Sequence, residues 1–139
     1  MMKRGSIAPT ASIVLALGAA PAHAQSPAYP SKPVRIIVPV APGGAIDTIA
    51  RMLAPPLTES FKQSVVVDNR AGGATNIGTE LVAKAPPDGH TLLVTNSTAV
   101  VNVFLFPKLP FSFQREIAPV SLLATTPLVM IAHPSLPAK

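Results

Sequence analysis

The chain has 139 residues, of which 48% are apolar and 12% carry a charge, and its formal net charge at pH 7 is +5. The length excludes more than one domain of ordinary size, and the apolar content excludes an intrinsically disordered chain. The basic residues are scattered and never form a run, so the mild positive charge does not indicate nucleic-acid binding.

The N-terminus has the order of a secretory signal peptide. Lys3-Arg4 precedes the apolar segment Ile13–Ala20, and Ala22-His23-Ala24 supplies the small residues of a cleavage site. The apolar segment is well short of the roughly 20 residues that a membrane anchor needs. We therefore expect residues 1–24 to be removed and residues 25–33 to lead into the folded part. The chain has no cysteine, so it forms no disulfide, and this suits a protein exported to a bacterial periplasm.

The first predicted elements are a strand and a helix. Residues 34–40 form a nearly continuous apolar run, as expected of a strand buried on both faces of a parallel sheet. Pro55 and Pro56 interrupt the helix that follows, and proline inside a helix costs roughly 3 kcal/mol, so we expect a kink or a restart there. From Ala45 onward, apolar residues recur at helical spacing: Ile46, Ile49, Leu53, Leu57 and Phe61.

A second strand and helix follow the same order. Residues 65–67 predict a short strand, and residues 68–75 are rich in turn-forming types. Residues 76–85 predict a helix, with Thr75 or Asn76 as its cap.

The third unit begins after a tight turn at Asp88-Gly89. Residues 91–95 predict a strand that ends in small polar residues. Residues 100–106 fit either a short helix or a buried strand, because periodicity cannot separate the two over so few residues. The last candidate strands are residues 118–124 and residues 128–132.

The alternation of strands and helices predicts an α/β fold with a parallel-rich sheet flanked by helices. The carboxyl ends of parallel strands meet at one edge, so the loops after the three strands are expected to converge. At Gly43-Gly44 the missing side chains and the N-H groups of the following helix favour an anion. Taken alone, however, a Gly-Gly pair after a strand is more often a tight turn without a ligand. For Asp47, capping of the helix is favoured over direct ligand contact, because a carboxylate repels an anion.

Other chemistry is sparse in this sequence. The glycines match neither a phosphate-binding P-loop nor a dinucleotide-binding motif. His90 and His133 lack partners at metal-ligand spacing and are expected at the surface. Ser97 and Ser121 lack the flanking glycines of a hydrolase nucleophile, so we identify no catalytic or metal-binding set. Arg70 fits a ligand carboxylate and a structural ion pair equally well.

Several motifs in order resemble one family. The chain is similar to the Bug (TctC-like) family of periplasmic solute-binding receptors of tripartite tricarboxylate transporters, and the resemblance runs from Tyr29 to Pro137. The residues that carry it are Tyr29–Pro39, Pro42–Asp47, Asp68–Arg70, Asn76–Gly78, Pro87–Leu93 and Ala118–Leu122.

The resemblance implies a type II periplasmic-binding-protein fold, in which two α/β lobes close on a small organic carboxylate. It assigns residues 34–124 to the first lobe and residues 125–139 to the start of the crossover to a second lobe. It implies membrane transporter subunits as partners, and no enzyme activity, cofactor or nucleic acid. The ligand-binding residues that it implies lie in three loops: Ala41, Pro42, Gly43, Gly44, Ala45 and Asp47; Gly72, Gly73, Thr75 and Asn76; Thr95, Asn96, Ser97 and Thr98.

This chain departs from the family in three ways, the first being Pro55-Pro56, which stands where relatives have ordinary helix formers. Ala74-Thr75 stands where relatives carry more glycine, and this change is expected to reshape one side of the site. Members of the family are roughly twice as long, so we expect the first lobe only. Two alternatives remain: a truncated remnant that does not bind by itself, and a small secreted α/β enzyme that acts on an anionic substrate.

Overall fold

The computed structural model describes residues 28–127, 129–131, 133 and 135. The predicted signal peptide, residues 1–24, lies outside the described residues.

Three parallel strands form one sheet in the order β2-β1-β3. Ile36 of the central strand is opposite Val67 on one side and Leu92 on the other. Parallel pairing on both sides brings all three carboxyl ends to the same edge of the sheet, which we call the carboxyl edge. The prediction of an α/β fold with a parallel sheet flanked by helices is confirmed. The strands are β1, Val34–Val38; β2, Val65–Asn69; and β3, Thr91–Leu93.

Four α-helices occur in the described part of the chain: α1, Ala45–Phe61; α2, Asn76–Ala83; α3, Ser97–Leu105; and α4, Phe113–Glu116. The ambiguous segment 100–106 therefore belongs mainly to a helix. The decisive signal lies before it, because the Asn96 side chain accepts a hydrogen bond from the N-H of Thr98 at 3.1 Å and caps the helix. None of the helices among the described residues combines the length and apolarity needed to cross a membrane.

The core is built on β1, whose residues are buried on both faces. Ile36 and Val38 pack with Ala50 of α1 and with Val94, which follows β3. Ile37 lies on the opposite face and is also fully buried. Complete burial of each such side chain contributes about 1.5–3 kcal/mol. Parallel crossovers are right-handed in nearly all proteins, and in the strand order β2-β1-β3 this rule puts α1 and α2 on opposite faces, which explains the double burial.

Helix α1 continues through both prolines, so the predicted restart of the helix is wrong. Pro55 and Pro56 lie on its exposed side. The carbonyl groups that they leave without a helical partner belong to Arg51 and Met52, which are also exposed. Water can therefore hydrate these carbonyls. The Thr58 hydroxyl donates to the Ala54 carbonyl at 2.8 Å in the next turn.

The bounds of several elements differ from the prediction. Strand β2 includes Asp68 and Asn69, which were expected in a loop, because they pair with Ile37 and Val38. Helix α2 is two residues shorter than expected. Strand β3 ends at Leu93, although the N-H of Val94 still donates to the Ile37 carbonyl at 3.0 Å.

The two strands predicted after α4 are not observed in the described chain. Residues 118–124 contain no strand, and Val120 and Leu122 are at least 80% exposed. Residues 129–131 are likewise not in a strand, whereas residues 128 and 132 of that prediction lie outside the description. Apolar alternation produces a strand only where a neighbouring strand supplies hydrogen bonds, and no described strand lies beside these segments.

His90 is buried, so its predicted surface position is wrong. It is 8% exposed and lies edge-on to the Tyr29 ring, with a centroid distance of 5.1 Å. The Tyr29 hydroxyl donates to the Gly89 carbonyl at 2.8 Å, and Lys32 pairs with Asp88 at the same distance. The segment before β1 thereby covers the turn before β3.

Helix α2 packs closely against the residue that follows β1, and Gly78 lies at this contact. An added Cβ would lie 2.8 Å from Pro39 Cβ and 2.9 Å from the Arg70 carbonyl oxygen. In an open helix, replacing glycine with alanine stabilises by roughly 0.5–1 kcal/mol. We expect the opposite sign for Gly78→Ala, a loss of about 1–3 kcal/mol from overpacking.

Urea unfolding of Gly78→Ala measures this difference. Ser60→Ala, at an exposed position of α1, is the control and should change stability by less than about 0.5 kcal/mol. Stabilisation by Gly78→Ala would show that α2 does not press on Pro39.

Candidate functional site

The carboxyl edge of the sheet gathers all three predicted loops. The chain leaves β1 towards α1 on one face, whereas α3, which follows β3, packs against α2 on the other face. The chain segments that leave the neighbouring strands β1 and β3 thus go to opposite faces of the sheet. Ligands of open α/β sheets bind at such a divergence, outside the carboxyl ends of the strands. The candidate site is therefore the surface formed by residues 41–47, 72–76 and 95–98.

The first loop is open at its two glycines. Gly43 has a φ of +90°, a conformation that favours glycine. Gly44 is the N-cap of α1 with a φ of −80°, which any residue adopts. A Cβ added to either glycine would have no described atom within 4 Å. Backbone groups at this turn are thus accessible, while Gly43 alone requires glycine for its conformation. Ala41, Pro42 and Ala45 are also exposed.

The Asp47 side chain points into the protein and fixes this loop from its buried side. Asp47 is 2% exposed. One carboxylate oxygen accepts hydrogen bonds from the Gly43 N-H at 2.8 Å and from Arg51 Nε at 2.9 Å. The other accepts from Asn69 Nδ2, also at 2.9 Å. Asp47 thus lies in the first turn of α1 and bonds the N-H just before the N-cap, and both of its oxygens are already occupied by donors of the protein.

Arg51 neutralises the charge of Asp47. The hydrogen bond from Arg51, followed by those from Gly43 and Asn69, lowers the pKa of Asp47 to about 2. The carboxylate is therefore charged at neutral pH, but its ion pair with Arg51 offsets that charge. Arg51 also donates to Asn69 Oδ1 at 2.9 Å, and Asn69 Nδ2 donates to the Val40 carbonyl at 3.1 Å. One polar network thus connects the first loop, α1 and the end of β2.

The second loop has an unusual backbone. Four consecutive residues, Gly72, Gly73, Ala74 and Thr75, have positive φ values. The values of +52° for Ala74 and +79° for Thr75 are strained for residues with a side chain, and strain of this kind costs roughly 1–3 kcal/mol per residue. Thr75 is buried and occupies the N-cap position of α2, but its side chain caps no N-H.

Asn102 of α3 holds the second loop, and the sequence analysis did not identify it. It is 1% exposed, and its Nδ2 donates to the Ala74 carbonyl and to Asn76 Oδ1. The Thr79 hydroxyl adds a 2.9 Å bond to the Thr75 carbonyl. A lone amide inside the apolar segment 100–106 was the available signal in the sequence.

The third predicted loop is partly helical. Ser97 and Thr98 form the first turn of α3, with Asn96 as the cap, so the expectation of a loop at residues 97–98 is corrected. They still lie at the carboxyl edge. Thr95 Oγ1 is buried, and it is one of two buried side-chain polar atoms among the described residues that lack a hydrogen-bond partner; the other is His90 Nε2. The Thr95 hydroxyl is therefore a buried polar group at the carboxyl edge with no partner among the described residues.

Three helix N-termini face this edge, because α1, α2 and α3 each follow a strand or a loop that ends there. Each N-terminus carries about half a positive charge, and its first N-H groups have no partner within the helix. In α1 these N-H groups belong to Ala45, Ile46 and Asp47. In α3 the Asn96 side chain already accepts from the Thr98 N-H, and in α2 the Asn76 N-H donates to the Gly73 carbonyl, so the N-H groups of α1 are the clearest free donors at this surface. Free N-H groups at a helix N-terminus favour small anions.

Other features lie away from this surface. Two surface cavities of about 510 Å³ and 690 Å³ lie along β2, and Val66 and Val67 form part of the lining of each. Arg70 forms an ion pair with Asp68 at 3.1 Å. Of the two roles predicted for Arg70, a ligand contact and a structural ion pair, the structure contains the ion pair. The described residues contain no group of three or more side chains suited to hold a metal ion.

The Asp47 network predicts a specific pH dependence. Since the pKa of Asp47 in the folded state, about 2, lies below its ordinary value of 3.8, the carboxylate stabilises the fold fully above pH 3.8. This contribution is lost as the pH falls through about 2. We expect Asp47→Asn to be less stable than the parent at pH 7, with the difference narrowing between pH 4 and pH 2.

Chemical unfolding of both proteins at pH 7, 5, 3 and 2 measures this effect. The comparison cancels the titration of Asp88, whose pKa the Lys32 hydrogen bond lowers to about 2. A difference independent of pH would exclude the charged carboxylate as the stabilising group.

The strained second loop predicts a gain of stability. Ala74→Gly should raise the free energy of unfolding by about 1 kcal/mol, because glycine adopts a positive φ without strain. The control is Ala71→Gly in the same exposed loop, where φ is not positive and glycine should cost about 0.4–1 kcal/mol. Thermal unfolding of both variants distinguishes the signs, and equal losses would contradict the strain.

Comparisons with known proteins bear on the family and the fold of this chain. The family model described as "Tripartite tricarboxylate transporter family receptor" matches residues 49–139. Protein BugT of Bordetella pertussis is 43% identical over 120 residues, which are 85% of this chain and 36% of the relative. The chain thus spans about a third of the length of the curated relatives it matches.

Two solved structures share the fold. A protein described as a periplasmic transporter is 45% identical, with a TM-score of 0.57 over 60% of this chain and 29% of its own. MatC from Rhodopseudomonas palustris, solved with bound malate, is 36% identical, with a TM-score of 0.64 over 68% of this chain and 33% of its own. With the family model matching more than half of its residues, this chain belongs to the tripartite tricarboxylate transporter receptor (TctC) family.

Proposed function

We propose that this chain carries the first-lobe loops of an extracytoplasmic receptor that binds a small organic carboxylate for tripartite tricarboxylate transport. The observation that carries the proposal is the convergence of three helix N-termini on one edge of the sheet, beside the open Gly43-Gly44 turn. A carboxylate needs several donors around two oxygens, and this edge supplies them from the backbone.

The proposed ligand-binding residues are those of the three loops, and they contribute in different ways. Gly43, Gly44 and Ala45 present backbone groups, and the Thr95 hydroxyl and the Asn76 amide add side-chain donors. Asp47 supports the first loop through its hydrogen bonds to Gly43, Arg51 and Asn69 and makes no direct contact with the ligand. The neighbour MatC, which holds malate, supports a dicarboxylate among the candidates.

The proposed partners and location follow from the family. Its members are receptors of tripartite transporters, so membrane subunits that accept the ligand are the proposed partners. The structural neighbour described as a periplasmic transporter supports a periplasmic location. Export through the signal peptide at residues 1–24 belongs to the same proposal.

Calorimetry of the purified chain tests binding. The panel contains di- and tricarboxylates, dicarboxylic amino acids and nicotinate, with malamide as a neutral counterpart of malate. We expect saturable binding of at least one carboxylate and none of malamide. Stabilisation by about 2.7 kcal/mol at a ligand concentration of 100 Kd should accompany it in thermal unfolding. No heat and no stabilisation with any member of the panel would overturn the proposal.

Gly44→Val locates the binding surface. Gly44 has an ordinary φ and open space around its Cβ position, so valine should crowd the ligand while the turn is retained. We expect at least a tenfold rise in Kd. Met52→Val, on the exposed side of α1, is the control and should leave Kd unchanged. Unchanged affinity in a folded Gly44→Val protein would exclude a ligand-facing role for Gly44.

A further inference from the structure

We propose that Asn102 is a positioning residue that sets the second loop for anion binding in two ways. It holds the strained Ala74-Thr75 turn, and it orients the Asn76 amide so that its N-H groups remain free for the ligand. The inference rests on the proposed function, since it concerns the same site.

The orientation of the Asn102 amide follows from its partners. A backbone carbonyl can only accept a hydrogen bond, so the group that faces the Ala74 carbonyl oxygen must be Asn102 Nδ2. The same Nδ2 lies 2.9 Å from Asn76 Oδ1. Its two hydrogens are thus divided between the two acceptors, and the buried position of Asn102 excludes competition by bulk water.

This contact fixes the polarity of Asn76. Because Asn76 Oδ1 accepts from Asn102, only the NH2 group of the Asn76 amide is left to bond another partner. Within the described residues, no hydrogen bond uses Asn76 Nδ2, and this atom is not among the buried polar atoms without a partner. Asn76 begins α2 at the carboxyl edge, beside the positive end of that helix. Two donor hydrogens at this position suit a carboxylate and disfavour a cation.

The same amide also holds the backbone of the turn. Ala74 and Thr75 both have positive φ values, so the turn needs contacts that fix it. Asn102 Nδ2 bonds the Ala74 carbonyl and lies 3.4 Å from Thr75 Oγ1.

Nuclear magnetic resonance of the 15N-labelled chain tests the orientation of Asn76. L-malate, succinate and citrate are titrated separately. We expect the side-chain NH2 signals of Asn76 to shift with the same Kd as the backbone signals of Gly44 and Ala45. If the Gly44 and Ala45 signals shift while the Asn76 NH2 signals do not, the inference is overturned and the proposed function stands. If no signal shifts with any of the three acids, both are overturned.

A rescue experiment tests the hold on the turn. Asn102→Leu, which keeps the branch at Cγ but removes the amide, should raise Kd at least tenfold in a protein that is still folded. Adding Ala74→Gly should recover at least threefold of that loss, because glycine keeps the turn without the amide. Ala71→Gly in the same background is the control and should recover nothing. Asn102→Ser serves as the milder variant if Asn102→Leu fails to fold.

A purely structural role for Asn102 predicts a different result. The melting temperature would fall in both Asn102 variants, while Kd in the folded protein would be unchanged. Equal rescue by Ala71→Gly would likewise contradict the inference, because it would show a general effect of loop flexibility.

Discussion

The buried carboxylate of Asp47 is the contact on which the proposed site depends. It joins the N-H of Gly43 in the first loop, the guanidinium of Arg51 one turn further along α1, and the amide of Asn69 at the end of β2. A carboxylate in this position is stable only because each oxygen has a donor and because the charge is paired. The loop is therefore held from inside the protein, and its outer backbone surface needs no side chain of its own to fix it.

The second loop is held on the same principle by a neutral group. Asn102 reaches from α3 to the carbonyl of Ala74 and to the side chain of Asn76. In both loops a buried polar residue of a helix fixes a strained or glycine-rich turn, and the exposed face is left to backbone and amide donors. Such a surface recognises a charge type rather than a particular side-chain shape. This explains why the sequence indicates a carboxylate more readily than it indicates which one.

The sequence predicts the sheet well because the signals are local. The run Val34–Val38 is apolar on both faces, and glycines and polar residues follow each strand, so the α/β class and the shared edge could be anticipated. The missed features depend on contacts distant in sequence. Burial of His90 requires Tyr29, which approaches from 61 positions earlier, and the role of Asn102 requires a turn 26–28 positions earlier. The absent strands at residues 118–124 show the same limit, because pairing depends on a neighbour rather than on alternation.

The close approach of Gly78 to Pro39 has a mechanical consequence. Pro39 precedes the first loop, and Gly78 lies in the helix that the second loop leads into, so the segments that carry the two loops pack against each other with no side chain of Gly78 between them. Closely packed segments deform little, so we expect the two loops to move together rather than separately. Under the proposed function, closure around a ligand then comes from a partner surface that moves towards these loops rather than from the loops themselves.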